Sequence, residues 1–328
     1  MSVADRHPAK RLCIFNHKGG VGKTTLTFNV ASEIAKLGKR VLLVDSDPQC
    51  NLTAYLIESE VLDDLLDHSD SKKGETIWSA VKPIVEATGS VRAIPPYEVS
   101  SDLYLLPGDI RLSDFEGDLN DFWRECIQRK RRGFAGTAAL SALVNELCGE
   151  YDIDIVFYDA GPNIGPLNRA IILDCDHFIV AAAYDLFSAR ALKTLGRTLF
   201  TWISDWQTVA QLAPEDTYLL PGRPTFLGYI PQDFAVYRGV VAARHKHYMH
   251  ALDEGIERDI VEILRPLGVI PKRRNHKLGE IKDFKSLVAA SQREGLPLAS
   301  VQVGNADQKL AARLAFKGIA QKILLRTE

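Results

Sequence analysis

The segment Lys18–Thr25 (KGGVGKTT) has the residue types that a polyphosphate-binding loop needs. Glycines let backbone N–H groups approach phosphate oxygens, and the positive end of a following helix stabilises their negative charge. In such a loop Lys23 reaches the β- and γ-phosphates of a nucleoside triphosphate, and Thr24 offers its hydroxyl to Mg²⁺. Thr25 is placed to contact the α-phosphate. The predicted cradle also includes Gly19, Gly20, Val21 and Gly22.

One position departs from the general phosphate-loop pattern G-x-x-x-x-G-K-[ST]. That pattern requires glycine at position 17, where this chain has His17, and a second lysine, Lys18, follows. The alternative interpretation is a Gly-Lys turn that starts a helix by chance. A preceding apolar strand and a following amphipathic helix favour the phosphate loop.

Carboxylates follow two apolar segments that are typical of buried strands. Asp45 and Asp47 come after Arg40–Val44, and Asp159 comes after Ile153–Tyr158. Ligands of parallel sheets bind at the carboxyl ends of the strands, and phosphoryl transfer to water needs carboxylates near the metal and the attacking water. Asp45 and Asp47 alone could be ordinary turn residues before a proline. Their spacing from the loop favours the functional interpretation.

The order of elements around the loop predicts a βαβ unit. Arg11–Phe15 has the profile of a strand, and Gly38 is expected to end the following helix before the strand Arg40–Val44. The apolar positions of that helix are Leu26, Val30, Ile34 and Leu37. Such a unit begins a doubly wound, mostly parallel α/β sheet with helices on both faces.

Four later segments predict further strands, and one predicts a helix. The strands are Leu103–Leu106, Ile153–Tyr158, Phe178–Ala183 and Thr225–Ile230, and the helix is Thr137–Cys148. Residues 58–96 are more polar and less regular, with a surface loop or helix end within 63–75. We predict a single domain over residues 1–328, with a flexible tail at 1–9 and a helical C-terminal part from about 238.

Composition sets limits on function. The 328 residues are 46% hydrophobic and 25% charged, with a net charge of −2, so nucleic-acid binding would need a local basic patch. The apolar runs are too short to span a bilayer, and the N-terminus lacks a signal-peptide core. The five cysteines form no C-x-x-C pair, which argues against zinc and iron–sulfur sites. We expect a cytoplasmic protein.

The segment Asn16–Thr25 (NHKGGVGKTT) resembles the deviant Walker A motif, KGGxGKT[ST], of the ParA/MinD group of P-loop ATPases, especially its ParA branch. The resemblance implies ATP and Mg²⁺ as cofactors. It also implies that Lys18 reaches the phosphates held by a partner subunit, so that ATP joins two copies into a homodimer with slow hydrolysis.

Other segments extend the resemblance over about residues 10–200. Asp45–Gln49 is similar to the DxDPQ switch, which implies that Asp47 positions the hydrolytic water and that Asp45 lies near the metal. Asp159 matches the Walker B aspartate, and 162–165 matches the second switch. Further similar segments are Asp102–Leu119 and Tyr184–Ser188. The resemblance is faint after Phe226, where Pro231 and Gln232 are the expected adenine contacts.

The cargo of such a switch remains open in the sequence. ParA relatives bind nucleoid DNA non-specifically and respond to a stimulating partner of the ParB type. The basic residues expected to contact DNA are Lys272, Arg273, Arg274 and Lys277. Other candidates are Arg238, Arg244, His245, Lys246, Lys282, Lys285 and the run Arg129–Arg132. Each cluster could also be a solvated helix face.

Three alternatives to a DNA-positioning role stay open. A MinD-like protein would bind membrane through a C-terminal amphipathic helix, and Lys309–Leu325 has Leu310, Leu314, Ile319 and Ile323 at near-helical spacing. The terminal helix of ParA-type proteins usually packs on its own sheet, so membrane binding is the less favoured outcome. The others are a regulator of a protein partner, for example in a defence system, and a metabolic ligase.

Overall fold

The computed structural model describes residues 8–232, 241–284 and 286–327. Its strands are β1 (Lys10–Phe15), β2 (Val41–Asp45), β3 (Tyr97–Ser100), β4 (Leu103–Leu106), β5 (Ile155–Asp159), β6 (His177–Ala183) and β7 (Thr225–Gln232). The helices of the first half are α1 (Lys23–Ala35), α2 (Asn51–Leu56), α3 (Ser59–Asp67), α4 (Ile77–Val85), α5 (Leu112–Ile127), α6 (Arg131–Thr137) and α7 (Ala139–Glu150). Those of the second half are α8 (Pro166–Asp174), α9 (Leu186–Val209), α10 (Val241–Ile256), α11 (Glu262–Leu264), α12 (Ser286–Glu294) and α13 (Ala306–Thr327).

The seven strands form one sheet in the order β3-β4-β2-β5-β1-β6-β7. Every pairing is parallel except that of β3 with β4. The predicted doubly wound α/β fold is therefore confirmed. Parallel register places Asp45 directly beside Asp159 at the carboxyl edge of β2 and β5. β1 lies between β5 and β6, so the loop that follows β1 emerges at the same edge.

The side chains of β1 point alternately to two apolar layers, one on each face of the sheet. Leu12 and Ile14 point to the layer that contains α1 and α13, whereas Cys13 and Phe15 point to the opposite layer. All four side chains are fully buried. A strand buried on both faces reads as a continuous apolar run, which explains why β1 and β5 are recognisable in the sequence.

Several predicted boundaries differ from the structure by two or three residues. α1 ends at Ala35, and Gly38 lies beyond it with φ +83°, so Leu37 is exposed and does not extend the buried face. The predicted irregular stretch 58–96 contains α3 and α4. Thr76 caps the start of α4 with a capping box. Its hydroxyl accepts the Ser79 backbone N–H, and the Ser79 hydroxyl accepts the Thr76 backbone N–H.

Only part of the apolar set predicted along the C-terminal helix α13 packs on the sheet layer. Phe316, Ile319 and Ile323 are buried against the layer that contains α1, whereas Leu310 and Leu314 are 55% and 61% exposed. Within the described ranges, no helix is both long enough and apolar enough to cross a membrane.

Candidate functional site

The loop between β1 and α1 has the backbone of an anion-binding turn. Gly20 and Gly22 have φ values of +71° and +65°, a conformation that L side chains rarely adopt. Gly22 precedes α1, whose start has no side-chain cap and no acidic residue in its first turn. The first N–H groups of α1 therefore lack a side-chain acceptor, as expected where a phosphate binds.

Two amide side chains hold this loop in place. Asn16 is fully buried; its Nδ2 donates to the Ala181 carbonyl (2.7 Å) and its Oδ1 accepts the Lys18 backbone N–H (2.9 Å). From β7, the Gln232 side-chain amide donates to the Val21 carbonyl. The partners of Asn16 are distant in the chain, so its bracing role is not apparent from the motif alone.

Lys23 lies close to the carboxylates at the sheet edge. Only 7% of the residue is exposed. Burial lowers the pKa of Lys23, while Asp159 and Asp47 act in the opposite direction. An ammonium group beside two carboxylates at a phosphate loop is suited to bind an anion that arrives with a divalent cation.

Asp159 is the least satisfied carboxylate of the site. Neither of its side-chain oxygens accepts a hydrogen bond of good geometry within the described part of the chain, although the Thr24 hydroxyl lies near enough to lower its pKa, and the residue is 1% exposed. Burial, followed by the charge of Asp45, raises the pKa of Asp159 to about 8, although Thr24 and Lys23 oppose the shift. A buried carboxylate without a partner is costly, and a cation beside it removes that cost. These residues therefore fit Mg²⁺.

Asp45 has a different environment, although the sequence places it near the metal as well. Its Oδ2 accepts the Thr53 backbone N–H (2.7 Å) and the Thr53 hydroxyl (2.6 Å), and its Oδ1 accepts the Asp47 backbone N–H (3.3 Å). Burial raises the pKa of Asp45 to about 6, while the bonds from Thr53 oppose the shift. Protein groups already satisfy this carboxylate, so it fixes α2 to the end of β2. Sequence reasoning missed Thr53.

Asp47 brings the two predicted switch segments together. It is 6% exposed, and its Oδ1 accepts the Gln49 backbone N–H (3.0 Å). A Cβ on Gly161 would lie 3.2 Å from the same oxygen, so Asp47 lies directly against the segment after β5. Asn168 braces that segment by donating to the carbonyls of Gly161 and Asn163 (2.9 and 3.0 Å).

An open cleft of about 620 Å³ lies over these residues. Its lining comprises Gly19 to Thr25, Asp47, Gln49, Asn51, Ala54, Tyr55, Ala160, Pro162 and Gln292. Every phosphate-contacting position predicted from the sequence except Lys18 is in this lining. Asp45 and Asp159 lie beneath it.

A narrow apolar cavity of about 40 Å³ adjoins the loop at Gly22 and Thr25. Its other walls are Leu26, Gln232, Ile281 to Phe284, Val288, Leu298 and Phe316. Gln232, one of the two residues expected to contact adenine, thus lies beside the phosphate loop. Pro231 is buried in β7, accepts the Ile281 backbone N–H (3.0 Å) and is not part of the lining. Within Ile281 to Phe284 the sequence pointed only to Lys282, as a basic residue, because no motif marks the segment.

The Lys18 side chain turns to the junction of β6 and α9. Its Nζ lies 2.6 Å from Asp185 Oδ2 and 3.1 Å from Ser188 Oγ. Both partners lie in the segment Tyr184–Ser188 that resembles the ParA order of elements, but their contact with the loop could not be read from the sequence.

The four residues expected to contact DNA lie in two different environments. Lys272 and Arg274 are exposed, but the Arg273 guanidinium donates to the carbonyls of Leu227 (3.2 Å) and Arg326 (3.4 Å). Lys277 pairs with Glu280 (2.7 Å) and donates to the Tyr184 hydroxyl (3.1 Å). The expected DNA contacts of Arg273 and Lys277 stay predictions, but the charged groups of these two residues are engaged within the fold.

The structure describes only some of the other basic candidates. Arg129 to Arg132 are all exposed, and Arg132 pairs with Glu125 (2.9 Å). Lys282 lines the narrow cavity. Arg238, Lys285 and the side chains of Arg244 to Lys246 lie outside the described residues.

Comparisons with known proteins identify the family of the chain. A family model described as an AAA domain matches residues 9–208. The sporulation initiation inhibitor protein Soj of Bacillus subtilis is 29% identical over 196 residues, which are 58% of this chain and 64% of Soj. The chain spans between 42% and 64% of the length of the first curated relatives it matches.

Solved structures of similar fold cover nearly the whole chain. A protein of Corynebacterium diphtheriae superposes with a TM-score of 0.68 at 23% identity, covering 97% of this chain and 98% of that one. A variant of Cyanothece McdA in complex with ATP superposes with a TM-score of 0.63 at 18% identity, covering 97% of each chain. At these identities the likeness concerns the fold alone.

Proposed function

This chain belongs to the ParA-like P-loop ATPases, and from that premise we propose that it is an ATP-dependent dimeric switch. It binds Mg·ATP at the Lys18–Thr25 loop, dimerises across the nucleotide and hydrolyses ATP slowly. The buried Asp159 carboxyl beside Lys23 carries the proposal, since a magnesium ion would stabilise the ionised form of Asp159 and a phosphate would compensate the Lys23 ammonium. Relatives named for chromosome and plasmid partitioning support a role in moving DNA or another cargo.

Each residue of the site has its own role in the proposed binding and hydrolysis of ATP. The N–H groups of the loop and the Lys23 ammonium bind the phosphates, and Thr24 and Asp159 would hold Mg²⁺. Mg²⁺ neutralises charge on the phosphate oxygens when it is bound. Asp47 orients the attacking water, and Asp45 acts by holding α2 and the Asp47 backbone. Gln232 and the segment Ile281 to Phe284 form the wall expected to contact adenine.

The first experiment measures nucleotide affinity. Lys23→Ala should abolish Mg·ATP binding in calorimetry, because the loop loses its only buried cation among the described residues. Lys36→Ala, directly after the same helix but exposed and paired with Glu33 (2.8 Å), is the matched control and should bind normally. Tight binding by Lys23→Ala would remove the phosphate-loop assignment.

The second experiment measures assembly. Lys18→Ala should bind nucleotide yet remain monomeric with ATP in sedimentation velocity, because the trans contact to the partner's phosphates is lost. An ATP-dependent dimer of unchanged affinity would contradict the in-trans role of Lys18.

The third experiment identifies the cargo. An electrophoretic shift on non-specific duplex DNA with ATP, with ADP and without nucleotide, at two salt concentrations, tests the partition role. We expect binding with ATP only, weakened by salt because released counterions drive it. Stimulation of hydrolysis by a ParB-like partner is measured as phosphate release with that partner added.

One observation favours a second candidate, a membrane-associated ATPase. Leu310, Leu314 and Leu325 are 55%, 61% and 73% exposed, and a helical repeat places them on one side of α13. Binding to anionic vesicles with ATP, and none to DNA, would support this candidate over partitioning.

A further inference from the structure

Lys18 is held within its own subunit by groups that are themselves fixed. Asp185 begins α9, where its Oδ1 accepts the Ser188 backbone N–H (2.8 Å) and its Oδ2 accepts the Lys18 ammonium (2.6 Å). Ser188 is fully buried, and its hydroxyl lies 3.1 Å from Lys18 Nζ and 3.3 Å from the Ala183 backbone nitrogen. The acceptors for Lys18 are thus pre-positioned by the start of α9.

The other end of the Lys18 residue is equally fixed. Its backbone N–H donates to Asn16 Oδ1, and Asn16 is anchored to the Ala181 carbonyl on β6. Loop and acceptors are both tied to β6, so the ion pair forms without any movement of the surrounding backbone. Burial would raise the pKa of Asp185, but Lys18 and the Ser188 N–H outweigh it and hold that pKa below its usual value.

A lysine in this position cannot also reach a second subunit. Two of the three ammonium hydrogens have acceptors here, and Lys18 does not line the phosphate cleft of its own chain. An in-trans role requires the ammonium group to leave Asp185 and Ser188 first.

We propose that Asp185 and Ser188 are positioning residues that hold Lys18 in its own subunit and release it only when a partner's nucleotide offers stronger acceptors. This inference rests on the proposed in-trans role of Lys18. The exchange makes dimerisation depend on the triphosphate, because only a phosphate cluster competes with the local carboxylate for the ammonium group. The cap of α9 by Asp185 Oδ1 does not involve Lys18 and persists after the release.

The expected change in dimer affinity follows from the solvent exposure of the Lys18–Asp185 ion pair. The side chains of Lys18 and Asp185 are 29% and 36% exposed, and ion pairs of this kind shift an equilibrium by up to about fivefold. A symmetric dimer releases two lysines, so loss of the pair should tighten dimerisation by up to about 25-fold.

Asp185→Asn tests the inference because asparagine keeps the helix cap and removes the charge. The dimer dissociation constant is measured by analytical ultracentrifugation with Mg²⁺ and the analogue AMPPNP, which avoids turnover. Asp152→Asn is the matched control: it breaks another exposed ion pair, with Arg40 (3.1 Å), and should leave dimerisation unchanged. Ser188→Ala should tighten the dimer by a smaller factor.

A salt series separates the charge effect from a structural one. The advantage of Asp185→Asn over the native chain should shrink between about 0.05 and about 0.5 M salt, since screening weakens an exposed ion pair; a structural change would not respond in this way. Equal or weaker dimerisation of Asp185→Asn, with Lys18→Ala monomeric, would overturn the positioning role and leave the proposed function intact. Normal dimerisation of Lys18→Ala would overturn both.

Discussion

Replacement of Asp159 by Asn should stabilise the nucleotide-free protein, although it removes a residue of the candidate site. Burial and Asp45 raise the pKa of Asp159 from 3.8 to about 8, so the folded state retains a proton that the unfolded state has already released. Stability is therefore lost as pH rises from about 4 to about 8, by about 1.4 kcal/mol per pH unit. At pH 7 the penalty is on the order of 4 kcal/mol. Asparagine fits the same space and carries no charge.

Urea unfolding in EDTA at pH 6 and pH 8 measures this penalty. The free energy of unfolding of the native chain should fall by about 2–3 kcal/mol more than that of Asp159→Asn between the two pH values. Asp45 titrates in both proteins, so its contribution largely cancels in the difference. Asp121→Asn, whose exposed carboxylate pairs with Arg124 (2.8 Å), is the control and should behave as the native chain does.

Parallel pH dependences of the native chain and Asp159→Asn would refute the reasoning, because they would mean that Asp159 is already ionised in the fold. The functional counterpart is measured by calorimetry. Mg²⁺ should strengthen nucleotide binding by the native chain, and this gain should disappear in Asp159→Asn.

Three further predictions concern neighbouring residues. Asp47→Ala should trap the ATP-bound dimer and slow phosphate release by about 100-fold, since the attacking water loses its acceptor; normal turnover would exclude it from the mechanism. The double replacement of Lys272 and Arg274 by Ala should weaken DNA binding and flatten its salt dependence without loss of stability. Arg273→Ala should instead lower the unfolding midpoint, because Arg273 donates to backbone carbonyls within the fold. The reverse pattern in the binding and unfolding assays would contradict this difference between the exposed and the engaged residues. Gly196→Ala should destabilise the packing of α9 by about 1–3 kcal/mol, because a Cβ there would overlap the Asp259 backbone carbonyl; unfolding of the variant at the native urea concentration would exclude that clash.

Local regularity explains which parts of the fold were predictable. β1, β2, β4 and β6 are buried on both faces and stand out as apolar runs, and the glycine-rich loop between β1 and α1 has a spacing that few other structures require. The segment with α3 and α4 was less predictable because α3 has no buried residue, and its polar sequence resembles a loop.

The sequence by itself determined the phosphate loop and the two carboxylate positions, because each depends on residues adjacent in the chain. Only the tertiary structure decided how those groups differ: the Asp45 carboxylate accepts two hydrogen bonds from Thr53, whereas neither Asp159 oxygen accepts a hydrogen bond of good geometry within the described residues. It also decided that Lys18 meets Asp185, 167 positions away, and that Gln232 supports the loop from β7. Hydrogen bonding and burial depend on the groups that the sheet order brings together, and no local pattern records that order.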